Sequence, residues 1–255
     1  MFGLELITPT IFVLACGVAF VAGLVKGIVG FAMPMLMVSG LGSFLPPELA
    51  VAALIGPTVL TNGMQSFRQG GRAAWDSLTV HRRYLIIAGV VLVLSAQLVG
   101  WIDGRVMLAI LGGPIVLFGF AQLAGWSPRI YPQDRTKAEV GFGLVSGFFG
   151  GLAGVWGPAM VVYLTALGTP KQEQVRVQGV AFGLGGLLLL LAHIQSGVIT
   201  FQTAQFSAVL CVPALIGMWM GLRVQDRLDQ ALFRRLTLIV LIFAGLNLLR
   251  RAIFG

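Results

Sequence analysis

One lysine stands in the stretch GLVKGIVGFAMPM, residues 23–35, and no acidic residue lies between Glu5 and Glu48 to pair with it. At the centre of a bilayer a charged side chain costs about 3 kcal/mol or more. An anion held against Lys26 would offset much of that cost. Gly23, Gly27 and Gly30 carry no side chains, so backbone N–H groups can approach the same anion. A chain break near Gly27–Gly30 would add the positive N-terminal end of a following half-helix. The competing view is that Lys26 ends a helix over 10–26 and extends its amine to the cytoplasmic surface. Against that stands the absence of any polar turn between Lys26 and the apolar run that follows.

Neutral polar groups recur at helical spacing further on. Thr58, Thr61, Asn62 and Gln65 fall at i, i+3, i+4 and i+7, which places hydroxyl and amide groups along one helix face. They suit either substrate contact or helix–helix hydrogen bonding. In the later stretch KQEQVRVQG, Arg176 reads as a cytoplasmic charge, or else as a gate or second anion contact, and Gln178 is the deeper site candidate. Trp156, beside Gly154, either walls a cavity or packs.

What is missing narrows the chemistry. All nine acidic residues lie in loops or at expected helix ends, whereas a carrier of cations needs a compensating carboxylate within a span. An anionic or neutral substrate follows. Cys16 and Cys211 read as small buried hydrophobes, and His193 stands alone, without metal-ligand neighbours. No nucleotide-binding loop, metal-ligand cluster or nucleophile–base set is present, so neither a cofactor nor an enzyme is expected.

The elements that position these residues are membrane helices. The chain has 255 residues, 57% hydrophobic and only 10% charged, with a mean hydropathy of +0.93. Soluble domains carry about a quarter charged residues. Apolar segments fall at 10–26, 31–45, 48–67, 84–101, 105–125, 139–152, 156–167, 174–195, 203–222 and 234–252. Four of them, 10–26, 31–45, 139–152 and 156–167, are short or interrupted by glycine and proline; the others have the length of complete spans. The net charge of +8 belongs to cytoplasmic loops rather than to a nucleic-acid surface, since no basic stretch carries interleaved aromatics.

The chain also repeats itself. Gly23, Gly27, Gly30 and Pro34 match Gly147, Gly151, Gly154 and Pro158 at an offset of 124. Two copies of a five-segment unit are expected, 1–125 and 139–255, joined by a cytoplasmic linker at 126–138. Thirteen of the 17 basic residues lie beside alternate connections, which puts them on one face and both termini outside. An odd number of segments per copy inverts the second copy relative to the first. Inverted repeats with paired, broken, glycine-rich helices are the pattern of secondary transporters.

The stretches GLVKGIVGFAMP (23–34) and GFFGGLAGVWGP (147–158), with MVVYLTALG (160–168) after them, resemble the TauE/SafE family of sulfite and organosulfonate anion permeases. The general layout matches over essentially the whole chain, the motifs only over those stretches. Many members carry small or apolar residues where this chain has Lys26. The resemblance implies a multi-pass protein of the cytoplasmic membrane that moves a small, often sulfur-containing anion. The expected architecture is therefore an all-α polytopic protein of two inverted repeats working by alternating access. Lys26, Gly27, Gly30, Thr58, Asn62, Gln65, Gly154, Trp156 and Gln178 are the expected substrate contacts, with Arg176 as gate or second anion contact. The expected partners are a small anion and the lipid bilayer, with a homodimer among the assemblies admitted. A passive anion channel and a membrane-embedded enzyme or assembly factor are the alternatives.

Overall fold

The computed structural model describes residues 8–97, 104–126, 129–153, 157–195 and 201–254, and all regular structure among them is helical. The helices are α1 (Pro9–Val29), α2 (Met33–Leu41), α3 (Pro47–Phe67), α4 (Gly71–Val80), α5 (Arg82–Ala96), α6 (Gly104–Leu123), α7 (Arg135–Ala153), α8 (Gly157–Ala166), α9 (Lys171–Gln195), α10 (Phe201–Arg227) and α11 (Gln230–Phe254). A short 3₁₀ turn, Pro132–Asp134, leads into α7. Three helices, α1, α10 and α11, are each long and apolar enough to cross a membrane, and α4 with α5 form a fourth such stretch bent by 73°. The protein is an all-α membrane protein.

The structure corrects the expected helix layout at two places. The segment at 10–26 is neither short nor interrupted: α1 runs unbroken for 21 residues. Its start is fixed by Thr8, whose side chain accepts from the Ile11 N–H, with proline in the first turn. Gly23 and Gly27 do not break it because they serve another purpose. A Cβ at Gly23 would strike the Ala214 carbonyl of α10, and one at Gly27 would strike the Met218 carbonyl and lie 2.8 Å from Gly221 Cα. Gly217 and Gly221 meet the backbone of α1 in the same way. Small residues on both helices let two backbones touch, the usual means of packing where lipid removes the hydrophobic drive.

The second correction is α4, which occupies what reads in sequence as a loop between segments. Ala74 and Ser77 are buried while Trp75 is exposed, so GRAAWDSLTV forms an amphipathic helix of about three turns with a narrow inner stripe. The chain bends at His81, between α4 and α5.

Two compact units divide the chain. The first holds residues 1–74 and 179–229, the second 75–178 and 230–255. In the first, α1 packs on α10, α10 on α3, and α2 against both α1 and α3. Its core gathers Ala15, Ala19, Met33, Met37, Leu210 and Ala214. In the second, α5 packs on α7 and α6 on α11, and the fully buried α8 lies against α7. Gly147 of α7 takes the role that Gly23 has in α1: its missing side chain admits the Ala88 carbonyl of α5, 2.5 Å from where a Cβ would stand. Each unit thus joins helices from both sides of residues 126–138. A helix start also recurs: α9 begins 124 residues after α3.

Candidate functional site

Lys26 lies in the last turn of α1 and is only 1% exposed. Its amine does not extend to a surface; it turns to α3 within the first unit. Nζ donates to Thr61 Oγ1 at 2.9 Å and to Asn62 Oδ1. Thr61 in turn donates to the Pro57 carbonyl one helical turn back, at 2.6 Å, which leaves its oxygen free to accept from the ammonium. Gln65 Nε2 donates to the Gly30 carbonyl at 2.9 Å and so ties α3 to the end of α1. The polar face at 58, 61, 62 and 65 is buried throughout, and its two middle members hold the amine.

The break that follows is compact. Gly30 takes a left-handed conformation, φ 90°, and its N–H closes α1 on the Lys26 carbonyl at 2.7 Å. That donor is used internally, unlike the open N–H expected from sequence. Ala32 also has a positive φ, 74°, as the residue before α2, and no side chain caps the first turn of that helix. A left-handed alanine costs about 1 kcal/mol or more, and such strain concentrates at functional sites.

A donor count shows what the cluster lacks. An ammonium group has three donors, and two of those of Lys26 are used. Asn62 Nδ2 and Thr58 Oγ1 are buried and have no hydrogen-bond partner among the described residues. No carboxylate among the described residues pairs with Lys26. A buried positive charge surrounded by spare donors is electrostatically incomplete, since unpaired polar groups in a low dielectric are costly. An acceptor with negative charge completes it.

Of the other expected contacts, Gly27, Gln178 and Arg176 are described and two are not. Gly27 packs on α10, as above. Gly154 and Trp156 lie outside the described residues. Gln178, on α9, is fully buried in the second unit, and neither its amide oxygen nor its amide nitrogen has a partner among the described residues. Arg176 Nε donates to Ser77 Oγ at 2.7 Å, also in the second unit.

A second buried cluster escapes a reading by sequence. His81, which reads as a loop residue, is 2% exposed and lies with Nδ1 3.3 Å from the Tyr163 hydroxyl. Tyr163 stacks on Tyr84, ring centroids 4.9 Å apart, and Tyr84 donates to Ser146 at 2.8 Å. Glu139, expected at the edge of a segment, is buried one turn into α7, where Arg135 Nε approaches to 2.9 Å and Arg83 Nη1 to 3.4 Å. The i, i+4 spacing of Arg135 and Glu139 is the one sequence signal that points there.

With the geometry in place, comparison with known proteins adds one finding. A family model described as sulfite exporter TauE/SafE matches residues 15–248. No curated protein matches the chain. No solved structure does either.

Proposed function

The chain belongs to the sulfite exporter TauE/SafE family, and from that premise we propose that it is a secondary transporter of a small anion across the cytoplasmic membrane. The anion is sulfite, another sulfur oxyanion or a short organosulfonate. The observation that carries the proposal is the buried Lys26 ammonium, held by Thr61 and Asn62 with donors to spare and no carboxylate partner among the described residues. A sulfur oxyanion offers several charged acceptors on one small atom cluster, which suits Lys26, Asn62 Nδ2 and the Thr58 hydroxyl together. Gln65 and Gly30 fix the end of α1 against α3, so the amine is held in place before the anion arrives.

The proposed mechanism is alternating access between two inverted repeats, 1–125 and 139–255, with 126–138 as the cytoplasmic connection and both termini outside. Two observations support it. The start of α3 recurs in α9 at the 124-residue offset of the glycine pattern. The matched Gly23 and Gly147 also do the same packing work, each where its helix meets the backbone of a neighbour. Paired broken helices of this kind suit a site near the midplane.

Binding and flux together test the proposal. Purified protein is titrated with sulfite, thiosulfate, sulfoacetate and sulfate, and a ligand that binds only the folded state raises the apparent melting temperature. Flux into proteoliposomes is then measured with and without a proton gradient. Binding of a sulfur anion with gradient-dependent flux supports a carrier. Flux that ignores every gradient but that of the anion would make the protein a channel. No binding by any anion in the set would sink the assignment of the site.

A further inference from the structure

A cluster of basic side chains lies in the second unit, on residues other than those of the Lys26 cluster. A cavity of about 250 Å³ is lined by Thr79, Val80, Arg82, Arg83, Arg135 and Glu139. Three guanidinium groups face one carboxylate there, so the lining keeps an excess of two positive charges. Glu139 is occupied by Arg135 and Arg83, and Arg83 also donates to Thr136 at 2.7 Å. Arg135 additionally reaches the Val80 carbonyl at 3.3 Å. Arg82 makes no hydrogen bond or ion pair among the described residues, and it is exposed at the start of α5.

The arginines head an apolar stripe. Ile86, Val90, Val93 and Leu94 follow Arg82 and Arg83 along the same face of α5, and each is more than half exposed. In a membrane protein such a face meets acyl chains, because nothing else there satisfies it. The same helix face therefore presents, in order, cations that match a phosphate and side chains that match a hydrocarbon tail. A free inorganic anion would use the first and leave the second without purpose. Basic pockets beside membrane helices are the usual seats of anionic headgroups.

We propose that the Arg82–Arg83–Arg135 cavity binds the phosphate of an anionic phospholipid whose acyl chain lies along Ile86, Val90, Val93 and Leu94 of α5. Arg82 contributes its whole charge, while Arg83 and Arg135 are steered by Glu139 and serve as a fixed frame.

Native mass spectrometry of the detergent-purified chain tests this with dioleoyl phosphatidylglycerol, dioleoyl phosphatidylcholine and glycerol 3-phosphate. The wild type should retain one phosphatidylglycerol at least fivefold better than phosphatidylcholine. Arg82→Gln, which breaks no internal contact, should remove most of that preference, and Arg82→Lys should keep part of it. Ile86→Ser with Val90→Ser should weaken retention of the lipid while leaving the glycerol 3-phosphate response unchanged. Equal retention of the two lipids overturns the proposal, as does a preference that survives Arg82→Gln. Competition by glycerol 3-phosphate at the concentration of the lipid itself also overturns it, since the tail would then contribute nothing.

Discussion

The Lys26 cluster of the first unit and the Glu139 cluster of the second are both buried, yet they neutralise charge by opposite means. Glu139 is met by two arginines, and each of these keeps contact with water: their side chains are 40% and 53% exposed. Lys26 is met by a hydroxyl and an amide oxygen and is almost wholly buried. Burying a charge with only neutral partners costs more than burying it with an ion of opposite sign. Glu139 finds its counter-charges within its own chain. Lys26 has no carboxylate partner among the described residues, and what it lacks has the sign of an anion.

The largest expected effect follows from removing the unpaired charge. Lys26→Met should reduce anion affinity about a hundredfold, on the order of 3 kcal/mol, because a charged hydrogen-bond donor is lost. Folding should survive, since the buried charge leaves with it. Lys26→Arg should retain part of the affinity. Isothermal titration on the three proteins reads the result, and equal affinities would remove Lys26 from the site.

Next in size are the two matched glycines. Gly23→Val and Gly147→Val each push a side chain into the backbone of a neighbouring helix. Overpacking of this kind costs about 1–3 kcal/mol. Both variants should show lowered melting temperatures in detergent, by similar amounts. A loss in only one of them would break the equivalence drawn between the units.

A smaller substitution turns one cluster into the other. Asn62→Asp supplies Lys26 with the carboxylate that it lacks, so the ammonium becomes paired internally. Anion affinity should fall about tenfold, on the order of 1.4 kcal/mol, with no loss of thermal stability. Undiminished binding by this variant would show that the missing counter-charge is not what recruits the anion. The smallest effect is expected at Glu139→Gln. Its arginines are well hydrated, so the cost to stability is about 1 kcal/mol, read as a small drop in melting temperature. Anion affinity should be unchanged.

Much of this arrangement follows from local features of the chain. Long apolar runs with few charges require helices in a bilayer, since the backbone must bond within itself there. Gly30 after α1 and Pro34 in the first turn of α2 mark the break, and Lys26 is visible as a charge inside an apolar run with no acid between Glu5 and Glu48. The polar face at 58, 61, 62 and 65 is set by helical periodicity alone. Other features depend on which helix lies opposite. Gly23 and Gly27 read as breakers, and only the approach of α10 turns them into contact points within an intact helix. Lys26 could extend to water or turn inward, and the hydroxyl and amide of α3 decide that it turns inward. Glu139 reads as the end of a segment and His81 as a loop residue, and both are buried once α5, α7 and α8 pack. Hydropathy and breaker residues act over one or two turns, so sequence carries them directly. Burial and pairing join residues tens of positions apart, and only the packed helices bring those together.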